Sequence, residues 1–296
     1  MYKRLAAWLG SGVLLAALLL LALSYYIGSK LIAPHPVTMP AHPELPFENV
    51  TLATAANAPV YGWWLQKSPD APAVLLLHSV RSSRLEMDPR AKVLYDRGYS
   101  VLLIDLPSHG ESPGKAITFG FREATGVSAA WHWLHQHAPD NRIGVIGISQ
   151  GGAALLMSDV RDKFDAVVLE MVYPTLHQAV HNRVAIRTGD TLATVITPLL
   201  TLQLKPRLGF SADELRPVDH INQLGAPLLI VAGAQDRHTP LIESQQMLAS
   251  ARQPKAIWVL PGVYHQDTFA HDPDAWKKHV IAFLDHALRS NQEHQH

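Results

Sequence analysis

The stretch Arg142-Ile143-Gly144-Val145-Ile146-Gly147-Ile148-Ser149-Gln150-Gly151-Gly152-Ala153-Ala154-Leu155-Leu156-Met157 changes character at one residue. Before Ser149 an aliphatic run reads as a buried strand; from Gln150 onward the residues read as a helix. Gly147-Ile148-Ser149-Gln150-Gly151 fits the pattern G-x-S-x-G. That pattern has a physical reason. A serine hydroxyl is presented outward when its residue sits on a sharp, strained strand-to-helix turn. A Cβ at the flanking glycines would clash with the neighbouring strand and helix. An ordinary glycine-rich turn would satisfy the five letters, but not the strand before them and the helix after.

The same alternation extends on both sides. Residues 47–54 and 60–65 read as an antiparallel opening pair. Apolar runs at 73–77, 100–104, 166–169, 227–231 and 256–260 read as strands. The intervals 84–97, 119–137 and 274–289 read as helices, the last opened by Asp272-Pro273 as cap and first turn. Continuous apolar runs separated by helices indicate a parallel sheet covered on both faces. The fold class is therefore α/β, doubly wound and mostly parallel, with ligands expected at the carboxyl ends of the strands.

With the elbow at Ser149, residues 47–290 resemble the α/β-hydrolase superfamily, in the form of a small, cap-poor esterase- or peptidase-like member. The resemblance implies a triad in the order serine, acid, histidine. Asp236, in Gly233-Ala234-Gln235-Asp236 after the penultimate strand, matches the acid, and His265, in Pro261-Gly262-Val263-Tyr264-His265 after the last strand, matches the base. Each alone is an ordinary turn or loop residue. A serine hydroxyl is a weak nucleophile until a base takes its proton. Histidine can accept and return a proton near neutral pH, and a buried Asp236 would hold the imidazole in the right tautomer. Glu170, closing the strand at 166–169, is the reserve acid. The oxyanion hole needs two backbone N–H groups, assigned to Gln150 and Val80. Here the chain departs from its family. His78-Ser79 stands in place of the usual His-Gly, and Ser108 replaces the first glycine in Asp105-Leu106-Pro107-Ser108-His109-Gly110-Glu111-Ser112. A Cβ on Ser79 would narrow the acyl pocket. His78 and His109 read as structural loop residues.

From Leu5 to Ile27 there is no charge. These residues, at about 1.5 Å each, span roughly 35 Å, enough for a hydrocarbon core of about 30 Å. Tyr25 and Tyr26 sit where an aromatic belt belongs. Lys3 and Arg4 precede the run and only Lys30 closely follows it, so the N-terminus is expected in the cytoplasm and the domain across the membrane. Residues 1–30 thus read as a single-pass anchor. Ala22-Leu23-Ser24 has the form of a signal cleavage site, which would make the protein secreted, but the apolar run exceeds a usual signal h-region. Residues 31–46 carry Pro34, Pro36, Pro40, Pro43 and Pro46, read as an extended stalk or as a strap over the domain. Residues 291–296 read as a frayed tail.

A chain of 296 residues, 48% of them hydrophobic, buries one large core or at most two. Equal numbers of basic and acidic residues, 25 each, give no electrostatic reason for a nucleic-acid partner. The absence of cysteine excludes disulfides, thiolate metal sites and a cysteine nucleophile. The 17 histidines lack tight ligand spacing, so no metal is expected, and nothing calls for an organic cofactor.

The sizeable insertion lies between Leu169 and Pro227, with a lid-like part at about 172–216. Within it Leu192, Val195, Ile196, Leu199 and Leu200 recur at helical spacing and are expected to wall an acyl pocket, with Pro198 ending or kinking the helix. With Ser79, they point to unbranched, moderately long acyl chains. The expected activity is hydrolysis of carboxylic esters or thioesters through an acyl-enzyme. The alternative is a serine peptidase acting on small peptides. A non-catalytic binding module would have no need of Ser, Asp and His at three strand ends. The expected partners are a small-molecule ester or peptide and the lipid bilayer.

Overall fold

The computed structural model describes residues 2–40, 45–54 and 58–289. It opens with one long helix, α1 (Tyr2–Ile32). The part Trp8–Ile32, of mean hydropathy 2.0 and 6% buried, is long and apolar enough to cross a membrane. A two-residue strand follows, β1 (His35–Pro36), then the antiparallel pair β2 (Glu48–Leu52) and β3 (Val60–Leu65). After β4 (Ala73–Leu77), a turn of 3-10 helix leads into α2 (Asp88–Arg97). Next come β5 (Ser100–Ile104), the short β6 (His109–Gly110), α3 (Ala124–His137), β7 (Ile143–Ile148) and α4 (Gln150–Met157). Then follow β8 (Ala166–Glu170) and three helices of the insertion, α5 (Leu176–Thr188), α6 (Asp190–Thr201) and α7 (Leu204–Leu208). The chain continues through β9 (Leu228–Gly233), α8 (Leu241–Ser250) and β10 (Lys255–Leu260). It closes with α9 (Thr268–His271), α10 (Pro273–Trp276) and α11 (Ala282–Arg289).

Eight strands form one sheet in the order β10-β9-β8-β7-β4-β5-β3-β2, parallel from β10 to β5. The doubly wound α/β expectation is met. Successive side chains of a strand point to opposite faces, so each central strand feeds two cores. Leu75, Val145, Val167 and Ile230 enter the core with α3 and α4 residues; Leu76, Ile146, Val168 and Val231 enter the one closed by α2 and α11. Each fully buried aliphatic side chain contributes about 1.5–3 kcal/mol, which is why central strands tolerate no polar face. Asp272 caps α10 as expected, accepting from the Ala275 N–H at 2.9 Å.

Residues 35–37 lie on the domain and do not stand off it as a stalk. His35 N donates to Ser108 O at 2.8 Å and Val37 N to Gly110 O at 3.0 Å, so β1 lies along β6 as a strap on the domain. Pro34 and Pro36 have no N–H, and the alternating residues that do have one face the loop. Pro43 and residues 291–296 lie outside the described residues. Pro198 neither ends nor breaks α6, which runs on to Thr201 with Leu202 N bonded to Pro198 O at 2.9 Å.

Candidate active site

Ser149 sits between β7 and α4 with φ +47° and ψ −109°, a conformation that non-glycine residues rarely adopt. The turn is held because Ser149 N donates to Glu170 O on the neighbouring strand at 2.8 Å. Its glycines are required by close approach. A Cβ on Gly147 would lie 2.6 Å from Gly152 Cα, and one on Gly151 would lie 2.5 Å from Leu77 O. Ser149 is 1% exposed, and its hydroxyl makes no hydrogen bond to any described group, nor does the carboxamide of Gln150 beside it. Buried polar atoms are rarely left so; both residues border a cavity.

The turn after β9 and the loop after β10 are laced together, Ala234 N to Leu260 O and Gln235 N to Val263 O, each at 2.9 Å. This lacing brings Asp236 to His265, whose Nδ1 donates to Asp236 Oδ2 at 2.7 Å. Oδ1 accepts from His238 N at 2.7 Å and Thr239 N at 2.9 Å, so the buried carboxylate is met by three donors. With Nδ1 donating to a carboxylate, Nε2 of neutral His265 is the acceptor nitrogen. The His238 ring lies 5.1 Å from that of His265, and burial first, then the Arg183 charge, pushes its pKa below the usual histidine range. Donor atoms of Asp236, His238 and His265 lie within 4.8 Å of one another, the grouping a metal would use. Both oxygens of Asp236 are already engaged by N–H donors, which suits an orienting acid better than a metal ligand.

Glu170 is not brought to His265. Its oxygens accept from Arg90 Nη2 at 2.8 Å, Thr268 Oγ1 at 2.5 Å and Trp276 Nε1 at 2.9 Å. Arg90 also reaches Asp267 at 2.7 Å, and Asp267 caps α9 two residues beyond His265. The reserve acid is thus part of a buried brace under the histidine loop.

Gln150 opens α4, so its amide has no carbonyl four residues back. Gln150 and Val80 border the same cavity as Ser149. Ser79 does not. Its N–H and hydroxyl both bond the Glu86 carboxylate, at 2.7 and 2.9 Å, which turns the side chain away from the acyl side. Ser108 holds φ +68°, where the family's glycine would be unstrained, and its hydroxyl donates to Ala116 O at 2.9 Å.

His78 accepts from Leu106 N at 3.0 Å and bonds Ser79 O at 2.7 Å. Burial lowers its pKa from the ordinary 6.5 to about 3, with help from His109, and burial takes His109 itself to about 4. Both are held neutral in the fold, while the unfolded chain takes up protons near pH 6.5. Their contribution to stability is therefore complete above about pH 6.5 and is lost as the pH falls toward 3. His78→Gln is expected to flatten that acid limb by up to one proton, about 1.4 kcal/mol per pH unit. Urea midpoints at several pH values between neutral and acid check this; parallel curves for wild type and variant would refute it.

The cavity encloses about 740 Å³. Beyond Ser149 its walls are Leu176, Val180 and Val184 of α5, Ile196 and Leu200 of α6, and Leu23, Ile27 and Leu31 of α1. The expected pocket residues divide. Leu192 and Val195 are 55% and 62% exposed and do not line it, nor does Leu199, whose backbone carbonyl accepts from Ser24 Oγ at 2.9 Å. α6 packs along α5 and against α1, which leaves Ile196 and Leu200 on the cavity and Leu192 and Val195 exposed. Arg81, Arg183, Arg187 and His238 also line the cavity, and among the described residues no Asp or Glu does. Burial lowers the Arg183 pKa. Sequence reasoning missed the arginines, His238 and the α1 residues. Only the spacing Asp236-Arg237-His238-Thr239, an Asx turn about the acid, was there to be read.

The profile of the X-Pro dipeptidyl-peptidase (S15 family) matches residues 19–207. The protein Rv2307c of Mycobacterium tuberculosis is 28% identical over 223 residues, 74% of this chain and 72% of that protein. YqkD of Bacillus subtilis is 23% identical over 258 residues, 83% of each chain. Among solved structures, the Pyrococcus furiosus esterase Pf2001 superposes with a TM-score of 0.72 at 25% identity, covering 87% of this chain and 98% of the esterase.

Proposed function

Given a chain that belongs to the X-Pro dipeptidyl-peptidase (S15) family, and so to the hydrolases of α/β fold, we propose a membrane-anchored serine hydrolase that cleaves carboxylic esters or thioesters through an acyl-enzyme at Ser149. The observation that carries this is the Asp236–His265 bond of 2.7 Å at the strand ends that also present an unbonded, strained serine. His265 Nε2 takes the Ser149 proton as Oγ attacks the acyl carbon. Asp236 holds the resulting imidazolium. The amides of Gln150 and Val80 receive the oxyanion. His265 returns the proton to the departing alcohol or thiol, and water repeats the sequence on the acyl-enzyme.

The family's name favours a second reading, release of dipeptides. A dipeptidyl-peptidase must hold the free ammonium of its substrate. A cavity bordered, among the described residues, by three arginines and no Asp or Glu disfavours that charge, and the esterase likeness points the same way.

Lys3 and Arg4 before the span favour a catalytic domain across the membrane from the cytoplasm. One experiment tests function and orientation together. Spheroplasts carrying the full chain are treated with a membrane-impermeant, sulfonated fluorophosphonate. Membranes from an unlabelled portion of the same spheroplasts are assayed on p-nitrophenyl esters and on Xaa-Pro p-nitroanilides. Labelling of intact spheroplasts and turnover of the esters are expected. Labelling only after lysis overturns the orientation, and hydrolysis confined to the anilides moves the function to the peptidase reading.

A further inference from the structure

A membrane-crossing helix needs only to be apolar, yet the last turns of α1 carry polar and small residues that dock it on the insertion. Ser24 Oγ donates to Leu199 O at 2.9 Å and accepts from Gln203 Nε2 at 2.7 Å. Arg207 Nη2 donates to Ser29 Oγ at 2.7 Å, and its guanidinium lies 4.4 Å over the Tyr25 ring. Gly28 permits the approach, since a Cβ there would meet Gln203 Oε1 at 2.8 Å. These contacts fix the helix's rotation. Leu23, Ile27 and Leu31, spaced by four, then form one stripe that becomes a wall of the Ser149 cavity, opposite Val184, Ile196 and Leu200.

The cavity's lining also carries cationic side chains. The Arg183 guanidinium is half-buried, and its one hydrogen bond is from Nη1 to Ala179 O, at 2.9 Å, one turn back on its own helix. Arg187 and Arg81 likewise bond only backbone carbonyls, Arg183 O and Lys30 O. Among the described residues none of the three has a carboxylate within ion-pair distance. The Asp236 and Glu243 carboxylates act on Arg183 from beyond that distance, and burial outweighs them; an anion seated on the guanidinium itself restores free energy that this partial burial costs.

We infer that this cavity takes an anionic amphiphile, with a single apolar chain between α1 and the α5–α6 pair and a phosphate or carboxylate on Arg183. The inference rests on Ser149 being an acyl-transfer site on a membrane-anchored domain, and it narrows the substrate to esters that carry both a chain and an acidic group. Such molecules partition into bilayers, and the anchoring helix itself is the surface along which the chain reaches the serine. A cationic ester is repelled by the arginines, and a short anionic ester forgoes the apolar wall.

The test is protection of the serine from a fluorophosphonate, in full-length protein held in phosphatidylcholine nanodiscs. The competitors are dodecyl phosphate, dodecanol and butyl phosphate. None of them is an ester of a carboxylic acid, so protection reads binding and does not depend on turnover. Dodecyl phosphate is expected to halve the labelling rate at a concentration about tenfold or more below that of either other compound, the worth of a charge-assisted hydrogen bond at one end and of a few buried methylenes at the other. Ratios within each variant are compared. Arg183→Gln should bring dodecyl phosphate and dodecanol within about twofold of each other while the chain-length preference persists. Ile27→Asn should shrink the preference for dodecyl over butyl phosphate. Where either variant labels too slowly to measure, Arg183→Lys and Ile27→Ala serve with smaller shifts in the same direction. Equal protection by dodecanol and dodecyl phosphate in wild type overturns the anionic end, and an unchanged chain-length ratio in Ile27→Asn overturns the α1 wall. Wild type that is never labelled refutes the Ser149 reading itself, a result distinct from both.

Discussion

Ser149→Ala is expected to abolish fluorophosphonate labelling and to lower kcat on p-nitrophenyl esters by about 10⁶, the scale on which loss of the serine acts in enzymes of this mechanism. The argument is local. Alanine keeps the Cβ, so the strained turn at φ +47° and the bond from residue 149 N to Glu170 O persist. What disappears is the hydroxyl oxygen of residue 149, which no hydrogen bond to a described group holds. The oxyanion amides and the binding walls remain, so weak residual hydrolysis above the water rate is compatible with this role. Thermal unfolding of the variant should match wild type. Retained labelling at full rate would mean that a different residue is the nucleophile, and the function proposed above would fall with it.

Asp236→Asn is expected to reduce kcat by roughly 10⁴ with little change in stability, the consequence of presenting the wrong imidazole tautomer. Asparagine can keep an oxygen toward the N–H groups of His238 and Thr239, preserving the turn. Its NH₂ then faces His265 Nδ1, which must accept rather than donate. Nε2 becomes protonated and can no longer take the proton of Ser149. Glu170→Gln is the contrasting variant. It weakens a buried ion pair with Arg90, at 2.8 Å, and should lower unfolding free energy by about 3 kcal/mol, the low end for breaking such pairs because Asp267 remains as a partner. Turnover measured below its unfolding range should survive. If Glu170→Gln were instead the variant that stops turnover at unchanged stability, Asp236 would not be the acid.

The contrast between these two carboxylates shows where sequence reading reaches its limit. Glu170 closes β8 and Asp236 lies in the turn just after β9, at the same ends of neighbouring strands, and either could orient a histidine. Asp236 is followed by residues whose amides fold back on it, a local pattern. Glu170 is bound by Arg90, Thr268 and Trp276, from 80 to 106 positions away in the chain, and no local pattern announces them. The stalk-or-strap ambiguity at 31–46 was of the same kind. Prolines state that the backbone is extended, but not whether a loop 73 residues later offers carbonyls to its free N–H groups.

The pocket was the least legible part. In 191–204 the apolar spacing correctly signalled a helix, because spacing is a property of one segment. Which stripe of that helix faces the serine depends on how α6 packs against α5 and against α1, where Leu199 O accepts from Ser24 Oγ. Leu192 and Val195 therefore fell outside, and Leu23, Ile27 and Leu31 came in.

What this sequence determined by itself was everything encoded in consecutive residues. That includes the strand–turn–helix at Ser149, the parallel sheet written in five-residue apolar runs, a helix apolar enough for a bilayer, and candidate residues at the ends of named strands. Side-chain periodicity and turn chemistry act over a few residues, so they can be read there. Tertiary structure alone decided which carboxylate meets His265, that Ser79 turns to Glu86, and that an apolar N-terminal helix closes a cavity whose polar wall is arginine. Those outcomes depend on distances between segments far apart in the chain, and such distances exist only once the sheet has brought the strand ends together.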